Sequence, residues 1–197
     1  PQVLAIATEH DLDIQMLHSH IGSGSDPEVW QRCAQMTLQI AERVESVTTV
    51  SLGGGFKVAR MADEIATDLA TGGAPIREEL LDFASRHGRQ LHLEIEPGTF
   101  MVANAGALLT TVVDVVDTGS QGYEFLKIDS GMTEILRPSM YGAQHPITVI
   151  PRHGEDTNRQ YLVVGHCCES GDVLTPEPDN PEGLQTRTLP TARIDDA

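Results

Sequence analysis

Three short turns rich in glycine or proline each follow a strand-like segment and carry polar side chains that could do chemistry. Their sequences are His20-Ile-Gly-Ser-Gly24, Leu52-Gly-Gly-Gly-Phe56 and Glu94-Ile-Glu-Pro-Gly98. Taken singly, each is more simply explained as a tight turn without a ligand. Ligands of parallel α/β structures bind at the carboxyl ends of strands, and glycines let backbone N–H groups approach a phosphate closely. Together the turns therefore predict a phosphate-binding edge, although neither glycine turn has a full dinucleotide or nucleotide fingerprint.

A pair of histidines opens this region. His18 and His20 are two residues apart on a predicted strand, so their side chains share one face. One hypothesis is a shared metal ion, with His92 and Asp129 as candidate further ligands. A second is a flat ring packed against a planar cofactor, and a third is an ordinary structural histidine.

Two further groups could recognise charged parts of a ligand. Glu96 ends an apolar strand, where a carboxylate could pair with a cationic ring nitrogen. Arg137 and Tyr141 are four residues apart and could together hold a substrate carboxylate. The alternatives are a solvated glutamate and a surface arginine beside a core tyrosine.

The densest cluster of reactive side chains is Cys167-Cys-Glu-Ser-Gly-Asp172. Two thiols, two carboxylates and a glycine turn follow a Val-Val segment, which packing alone does not explain. A thiol with a tuned pKa could serve here as an acid, a base or a nucleophile.

Composition narrows the function classes. The chain has 197 residues and a formal net charge of -16, which disfavours nucleic acid and anionic membranes as partners. No apolar run approaches the ~18 residues of a membrane span. Three cysteines, two of them adjacent, indicate a reducing and therefore cytoplasmic setting rather than a disulfide framework. The missing initiator methionine suggests a fragment of a longer protein.

Strands and helices alternate over the first hundred residues, which is typical of parallel βα units. Predicted strands cover residues 14–20, 47–52 and 91–95. Predicted helices begin at Asp26, near Ala62 (ending at Leu69) and at Pro75. The first helix is expected to bury one face, formed by Trp30, Cys33, Thr37, Ile40, Ala41 and Val44.

After Ala107 the pattern becomes strand-rich. Strand-like segments cover residues 108–116, 123–129, 147–150 and 161–164. We therefore place a domain boundary between residues 1–106 and 107–197. The first domain is predicted to be part of a (β/α)₈ barrel, since a complete one needs about 250 residues. The second is predicted to be part of an antiparallel β domain.

Six motifs in order resemble the fold-type III pyridoxal-phosphate decarboxylases, in their diaminopimelate-specific branch, whose barrel is alanine-racemase-like. The motifs span residues 17–172 and are His18-Ser-His-Ile-Gly-Ser23, Leu52-Gly-Gly-Gly-Phe56, Glu96-Pro-Gly98, Asp129-Ser-Gly-Met132, Arg137-Pro-Ser-Met-Tyr141 and Cys168-Glu-Ser-Gly-Asp172. The resemblance implies pyridoxal 5′-phosphate as cofactor. It also implies that His20 stacks on the cofactor ring and that Glu96 pairs with its nitrogen. The phosphate is then held by the side chain of Ser23 and by the backbone amides of Gly53, Gly54 and Gly55.

The resemblance also assigns the substrate side. Arg137 and Tyr141 contact the distal end of the amino-acid substrate. Cys168 and Glu169 enter the partner subunit's site in a homodimer, with Glu169 on the distal amino group, and Cys168 and His20 are the expected catalytic residues. The implied reaction converts meso-2,6-diaminopimelate to L-lysine and CO₂, a step of lysine biosynthesis.

Two departures from the family pattern leave alternatives open. The family's cofactor lysine lies upstream of the histidine turn, and neither Lys57 nor Lys127 matches that position. The fragment alone is therefore expected to be inactive. Thr99 stands where the family usually has Arg, so another diamino acid or a siderophore-pathway substrate is an alternative. A further alternative is that the protein is a non-catalytic homologue.

Overall fold

A computed structural model describes residues 1–152 and 157–197, and these divide into two units, Pro1–Gly106 and Ala107–Ala197. The division lies close to the point in the sequence where alternating strands and helices give way to strands alone. No helix among the described residues is long and apolar enough to cross a membrane.

The first unit is built on a parallel sheet of three short strands. Its elements are α1 (Gln2–Glu9), β1 (Met16–His18), α2 (Pro27–Ala41), β2 (Thr49–Ser51), α3 (Leu69–His87), β3 (His92–Glu94) and α4 (Gly98–Val102). The strand order is β1-β2-β3, and Leu17, Val50 and Leu93 are aligned across it. The described residues of this unit thus form an open parallel sheet with helices, and no closed barrel is present among them.

Helix α2 begins as its sequence predicts. The side chain of Asp26 accepts a hydrogen bond from the Glu28 N–H at 2.9 Å, and Pro27 occupies the first helical position. The buried residues are Trp30, Ala34, Thr37, Leu38 and Ala41. The prediction was wrong for Ile40, which is 53% exposed, because the buried stripe runs through Leu38 on a different side of the helix.

The predicted helix over 62–69 is wrong. The Glu64 carboxylate accepts the backbone N–H groups of Arg60 and Met61, which holds this segment in a turn. Helix α3 begins only at Leu69, where the Asp68 side chain accepts from the N–H groups of the first turn. Pro75, the predicted helix start, therefore lies inside α3.

The second unit contains a four-stranded sheet and a two-stranded sheet. Its elements are β4 (Val112–Asp117), β5 (Glu124–Ile128), α5 (Arg137–Tyr141), β6 (Asn158–Val164), β7 (Pro176–Glu177), β8 (Asn180–Leu184) and β9 (Arg187–Pro190). The larger sheet has the order β4-β5-β6-β9. Because β5 and β6 pair in parallel, the sheet is mixed and not antiparallel as predicted.

Two other strand predictions differ from the structure. Leu108 and Leu109 precede β4 and are exposed. Residues 147–150 form no strand, and the Ile150 N–H instead donates to the Ala197 carbonyl at 2.5 Å. Short apolar runs satisfy a strand pattern, but the available partner strand decides whether they join a sheet.

Candidate functional site

The three turns predicted to carry the chemistry lie side by side at the carboxyl edge of the parallel sheet. Backbone hydrogen bonds extend the strand ladder into them. The Glu96 N–H donates to the Gly53 carbonyl at 2.8 Å, and the Gly24 N–H donates to the Gly55 carbonyl at 3.0 Å. The central triple-glycine turn is therefore held between the histidine turn and the glutamate turn.

Glycine is required in the central turn for two reasons. Gly53 and Gly55 have φ angles of 70° and 94°, a region that other residues rarely adopt. A Cβ on Gly53 would also collide with the His20 ring, and one on Gly55 would collide with the Gly22 carbonyl. The turn can approach its neighbours this closely because it has no side chains.

His20 is oriented by the same turn. The Gly54 N–H donates to His20 Nδ1 at 3.1 Å. Since Nδ1 accepts this hydrogen bond, the neutral ring carries its proton on Nε2. The His20 residue is exposed, so the face of an oriented imidazole is available to a ligand.

Glu96 lies in a small polar network with His18 and Ser51. His18 Nδ1 is 3.3 Å from Glu96 Oε1 and 3.1 Å from Ser51 Oγ. Ser51 Oγ is 3.4 Å from the same carboxylate oxygen. Ser51 was not among the predicted site residues; its only signal in the sequence is a hydroxyl on a buried strand just before the glycines.

One potential ligand atom from each of His18, His20 and Glu96 lies within 4.8 Å of the others. Glu96 is thus the group that joins the histidine pair, and the suggested metal ligands His92 and Asp129 are not part of this cluster. Asp129 belongs to the other unit, where its carboxylate accepts from Thr110 Oγ1 at 2.5 Å and from a backbone N–H. These hydrogen bonds lower the pKa of Asp129 below its usual value.

Two of the glycine amides point to protein groups. The Gly53 N–H donates to Ser51 Oγ at 3.3 Å, and that of Gly54 donates to His20. This differs from the expectation that all three glycine amides face a phosphate. The third glycine, Gly55, lies beside Ser23: a Cβ on Gly55 would be 3.3 Å from the Ser23 Cα.

In the second unit, Asp172 organises the cysteine cluster. It is 3% exposed, and its two carboxylate oxygens accept from the N–H groups of Met132 at 2.7 Å and Cys167 at 2.8 Å. The carboxylate therefore joins the segment Asp129–Met132 to the cysteine segment. The sequence placed Asp172 in the cluster but gave no sign of this role.

The two adjacent cysteines differ in environment. Desolvation, followed by the nearby Asp172 carboxylate, raises the pKa of the half-buried Cys167 thiol. Cys168 is exposed. Glu169 is also exposed, and its Oε1 accepts from Ser170 Oγ and the Gly171 N–H. Cys168 and Glu169 thus face solvent, whereas Cys167 faces protein.

Arg137 and Tyr141 contact each other on the short helix α5. The guanidinium carbon lies 5.6 Å from the centre of the tyrosine ring, in a cation–π contact. Tyr141 is 56% exposed, so the alternative of a core tyrosine beside a surface arginine is wrong. Both side chains are accessible to a ligand.

Comparisons with known proteins agree with these motifs. Residues 14–197 match a family model described as "Pyridoxal-dependent decarboxylase, C-terminal sheet domain". The diaminopimelate decarboxylase of Escherichia coli strain K12 is 33% identical over 201 residues, covering 100% of this chain and 47% of the relative. That of Streptomyces coelicolor is 35% identical, with coverage of 98% and 43%.

Solved structures give the same result. A diaminopimelate decarboxylase crystal structure aligns with a TM-score of 0.88 at 32% identity, covering 100% of this chain and 47% of the other. The Helicobacter pylori enzyme complexed with L-lysine aligns with a TM-score of 0.77 at 27% identity, with coverage of 99% and 46%. The chain thus spans about half the length of these relatives.

Proposed function

Because the chain belongs to the pyridoxal-dependent decarboxylase family, we propose that it forms part of an enzyme that decarboxylates meso-2,6-diaminopimelate to L-lysine. The observation that carries this proposal is the meeting of Glu96, His20 and the triple-glycine turn at one edge of the parallel sheet. An acid, a flat ring and a glycine-lined turn are the groups that a phosphorylated pyridine aldehyde needs. The residues present therefore fit pyridoxal 5′-phosphate.

The proposal also assigns the fold. The three parallel strands are the last part of an alanine-racemase-like (β/α)₈ barrel, and residues 107–197 are part of the β domain that follows it. The alignments to diaminopimelate decarboxylases over the full chain support this assignment. In this assignment, the lysine that binds the cofactor is not one of the 197 residues.

In the proposed site, each group has one task. The Glu96 carboxylate pairs with the ring nitrogen and keeps it protonated, and the His20 imidazole stacks on the ring. The phosphate is bound by the Ser23 hydroxyl and the Gly55 amide, since Gly53 and Gly54 donate within the protein. When bound, the cofactor supplies an electron-accepting ring for the electron pair left by departing CO₂.

On the substrate side, Arg137 and Tyr141 bind the distal carboxylate, and Glu169 binds the distal ammonium group. Cys168 delivers the proton that replaces the lost carboxylate. The exposure of these side chains supports a site completed by a second copy in a homodimer. Thr99 lies in α4 in place of the usual arginine, which keeps another diamino acid as an alternative substrate.

A second candidate is a metal-dependent function, favoured by the convergence of His18, His20 and Glu96. The hydrogen bond from Gly54 disfavours it. His20 Nδ1 already accepts that N–H, so Nε2 carries the proton and has no free lone pair for a metal. The cofactor site is therefore the better explanation of the cluster.

The test uses the product of the complete reading frame that encodes this chain, assayed for CO₂ release from meso-2,6-diaminopimelate with pyridoxal 5′-phosphate. Glu96→Gln removes a charged hydrogen bond worth about 1.5–3 kcal/mol, so kcat should fall about 10- to 150-fold. Glu28→Gln, at an exposed position of α2, is the matched control and should leave kcat unchanged.

Three results would contradict the proposal. One is equal activity of Glu96→Gln and the unsubstituted protein. Another is a lack of turnover on any diamino acid, which would identify a non-catalytic homologue. The third is a stoichiometric divalent metal that disappears on replacing His18 or His20, detected by elemental analysis.

A further inference from the structure

Resting on the proposed function, we propose that Ser51 and His18 form a positioning pair for Glu96. In this arrangement the pair binds one carboxylate oxygen of Glu96 and leaves the other to meet the ring nitrogen. The proposal concerns orientation, and neither Ser51 nor His18 touches the reacting atoms in it.

The first step concerns the hydroxyl of Ser51. This residue is 1% exposed, so its hydroxyl must find partners within the protein. Its oxygen accepts the Gly53 N–H at 3.3 Å. Its single proton can then go to Glu96 Oε1, 3.4 Å away, which as a carboxylate oxygen only accepts.

The second step concerns the tautomer of His18. Nδ1 lies 3.3 Å from Glu96 Oε1 and 3.1 Å from Ser51 Oγ. If Nδ1 had no proton, its lone pair would face the carboxylate oxygen, which is repulsive. A proton on Nδ1 instead makes His18 a donor to both oxygens. For a neutral imidazole, the assignment that satisfies every contact is His18 with Nδ1–H and Ser51 donating to Glu96.

The consequence is a carboxylate with two differently used oxygens. Oε1 receives hydrogen bonds from His18 and Ser51, which fix the rotation of the carboxylate. The Glu96 side chain is still 58% exposed, so its carboxylate is accessible to a ligand. When neutral, His18 and His20 therefore hold opposite tautomers: Nδ1–H in His18, set by the carboxylate, and Nε2–H in His20, set by the Gly54 amide.

The first experiment needs no cofactor. Two-dimensional ¹H–¹⁵N spectra of the histidine rings, recorded at pH about 8.5, where an ordinary imidazole is neutral, distinguish Nδ1–H from Nε2–H. We expect Nδ1–H for His18 and Nε2–H for His20. Glu96→Ala removes the acceptor oxygen, so it should shift His18 towards Nε2–H and leave His20 unchanged. An Nε2–H tautomer of His18 in the unsubstituted protein overturns the proposal.

The second experiment uses binding to separate positioning from folding. The ligands are pyridoxal 5′-phosphate and its deaza analogue, in which carbon replaces the ring nitrogen, and Kd is measured by absorbance with the full reading-frame product. Ser51→Ala and His18→Leu should each weaken binding of the natural cofactor about tenfold. Binding of the deaza analogue should change less than twofold, since it cannot pair with Glu96.

Matched variants keep this result interpretable. His18→Asn retains an N–H donor near the position of Nδ1 and should restore most of the affinity. His92→Leu replaces an exposed histidine on β3 and should change neither Kd. His18 is half-exposed, so its variants remain informative if Ser51→Ala does not fold.

Equal weakening of both ligands, or no weakening of either, overturns the positioning role. If the unsubstituted protein binds no pyridoxal 5′-phosphate, the proposed function fails and this inference fails with it. Failure of the proposed function is distinguishable from failure of this inference alone, because the His18 tautomer is measured without the cofactor.

Discussion

At the scale of single residues, the backbone orients the reactive side chains. Gly54 donates to His20, Gly53 donates to Ser51, and the amides of Met132 and Cys167 converge on Asp172. Residue types and spacing identified His20, Glu96 and the cysteine cluster as candidates. Their hydrogen-bond partners come from other segments of the chain, so the sequence could not assign them.

The difference between the adjacent thiols gives a prediction at this scale. The raised pKa of Cys167 means a smaller thiolate fraction at a given pH, and the thiolate is the reactive form. At pH 8, iodoacetamide should therefore modify the exposed Cys168 faster than Cys167, and the Cys167 rate should keep rising above pH 9. Asp172→Asn removes a nearby charge and should speed Cys167 modification at pH 8.

Rates are measured by mass spectrometry on the double variants Cys33→Ser/Cys167→Ser and Cys33→Ser/Cys168→Ser, so that each of the two thiols is followed alone. Equal rates for the two thiols at pH 8 would contradict the assigned environments.

At the scale of elements, capping residues predict a helix end correctly where they adjoin an apolar helix face. Asp26 and Pro27 start α2 as predicted, and α3 ends at His87 before Gly88, which has a φ of 66°. The start of α3 was mispredicted because Pro75 is also a good first residue of a helix. The Asp68 side chain caps the helix six residues earlier, and this cap decides its start.

Pro75→Ala tests the position of this helix start. Inside a helix, proline lacks the N–H that would bond to the Thr71 carbonyl, so alanine should raise the free energy of unfolding. Part of the gain is lost to the greater freedom of the unfolded chain, leaving about 1–2 kcal/mol. Urea denaturation measures the change.

Pro27→Ala, at the first position of α2, is the matched control and should lower stability slightly. If Pro75→Ala behaves like Pro27→Ala, the helix begins at Pro75 and the structural assignment is wrong.

At the scale of the whole molecule, each unit has its own hydrophobic core. In the first unit, helices α2 and α3 pack on the sheet, with Phe83 only 1% exposed. In the second, Leu126 and Tyr161 are central to the core of the mixed sheet. Proposed cofactor contacts lie in the first unit, and proposed substrate contacts in the second.

Separate cores predict separate responses to core mutations. Phe83→Ala should cost about 3–5 kcal/mol in the first unit and raise amide exchange in α2, α3 and β2. Exchange in β5 and β6 should remain unchanged. Trp30 is the single tryptophan of the chain, so its fluorescence follows unfolding of the first unit.

Leu126→Ala is the reciprocal variant and should raise exchange in β4, β5 and β6 while leaving α2 protected. Matching increases in both units from either variant would show one cooperative core and contradict this expectation.

The sequence by itself determined the alternation of strands and helices, the change of pattern after Ala107 and the candidate residues. These depend on residue type and local spacing, which act over a few positions. Tertiary structure alone decided that β5 and β6 pair in parallel, that residues 147–150 stay outside the sheet, and that Ser51 links His18 to Glu96. These depend on which distant segments meet, and local propensity does not encode the partner of a strand or of a buried hydroxyl.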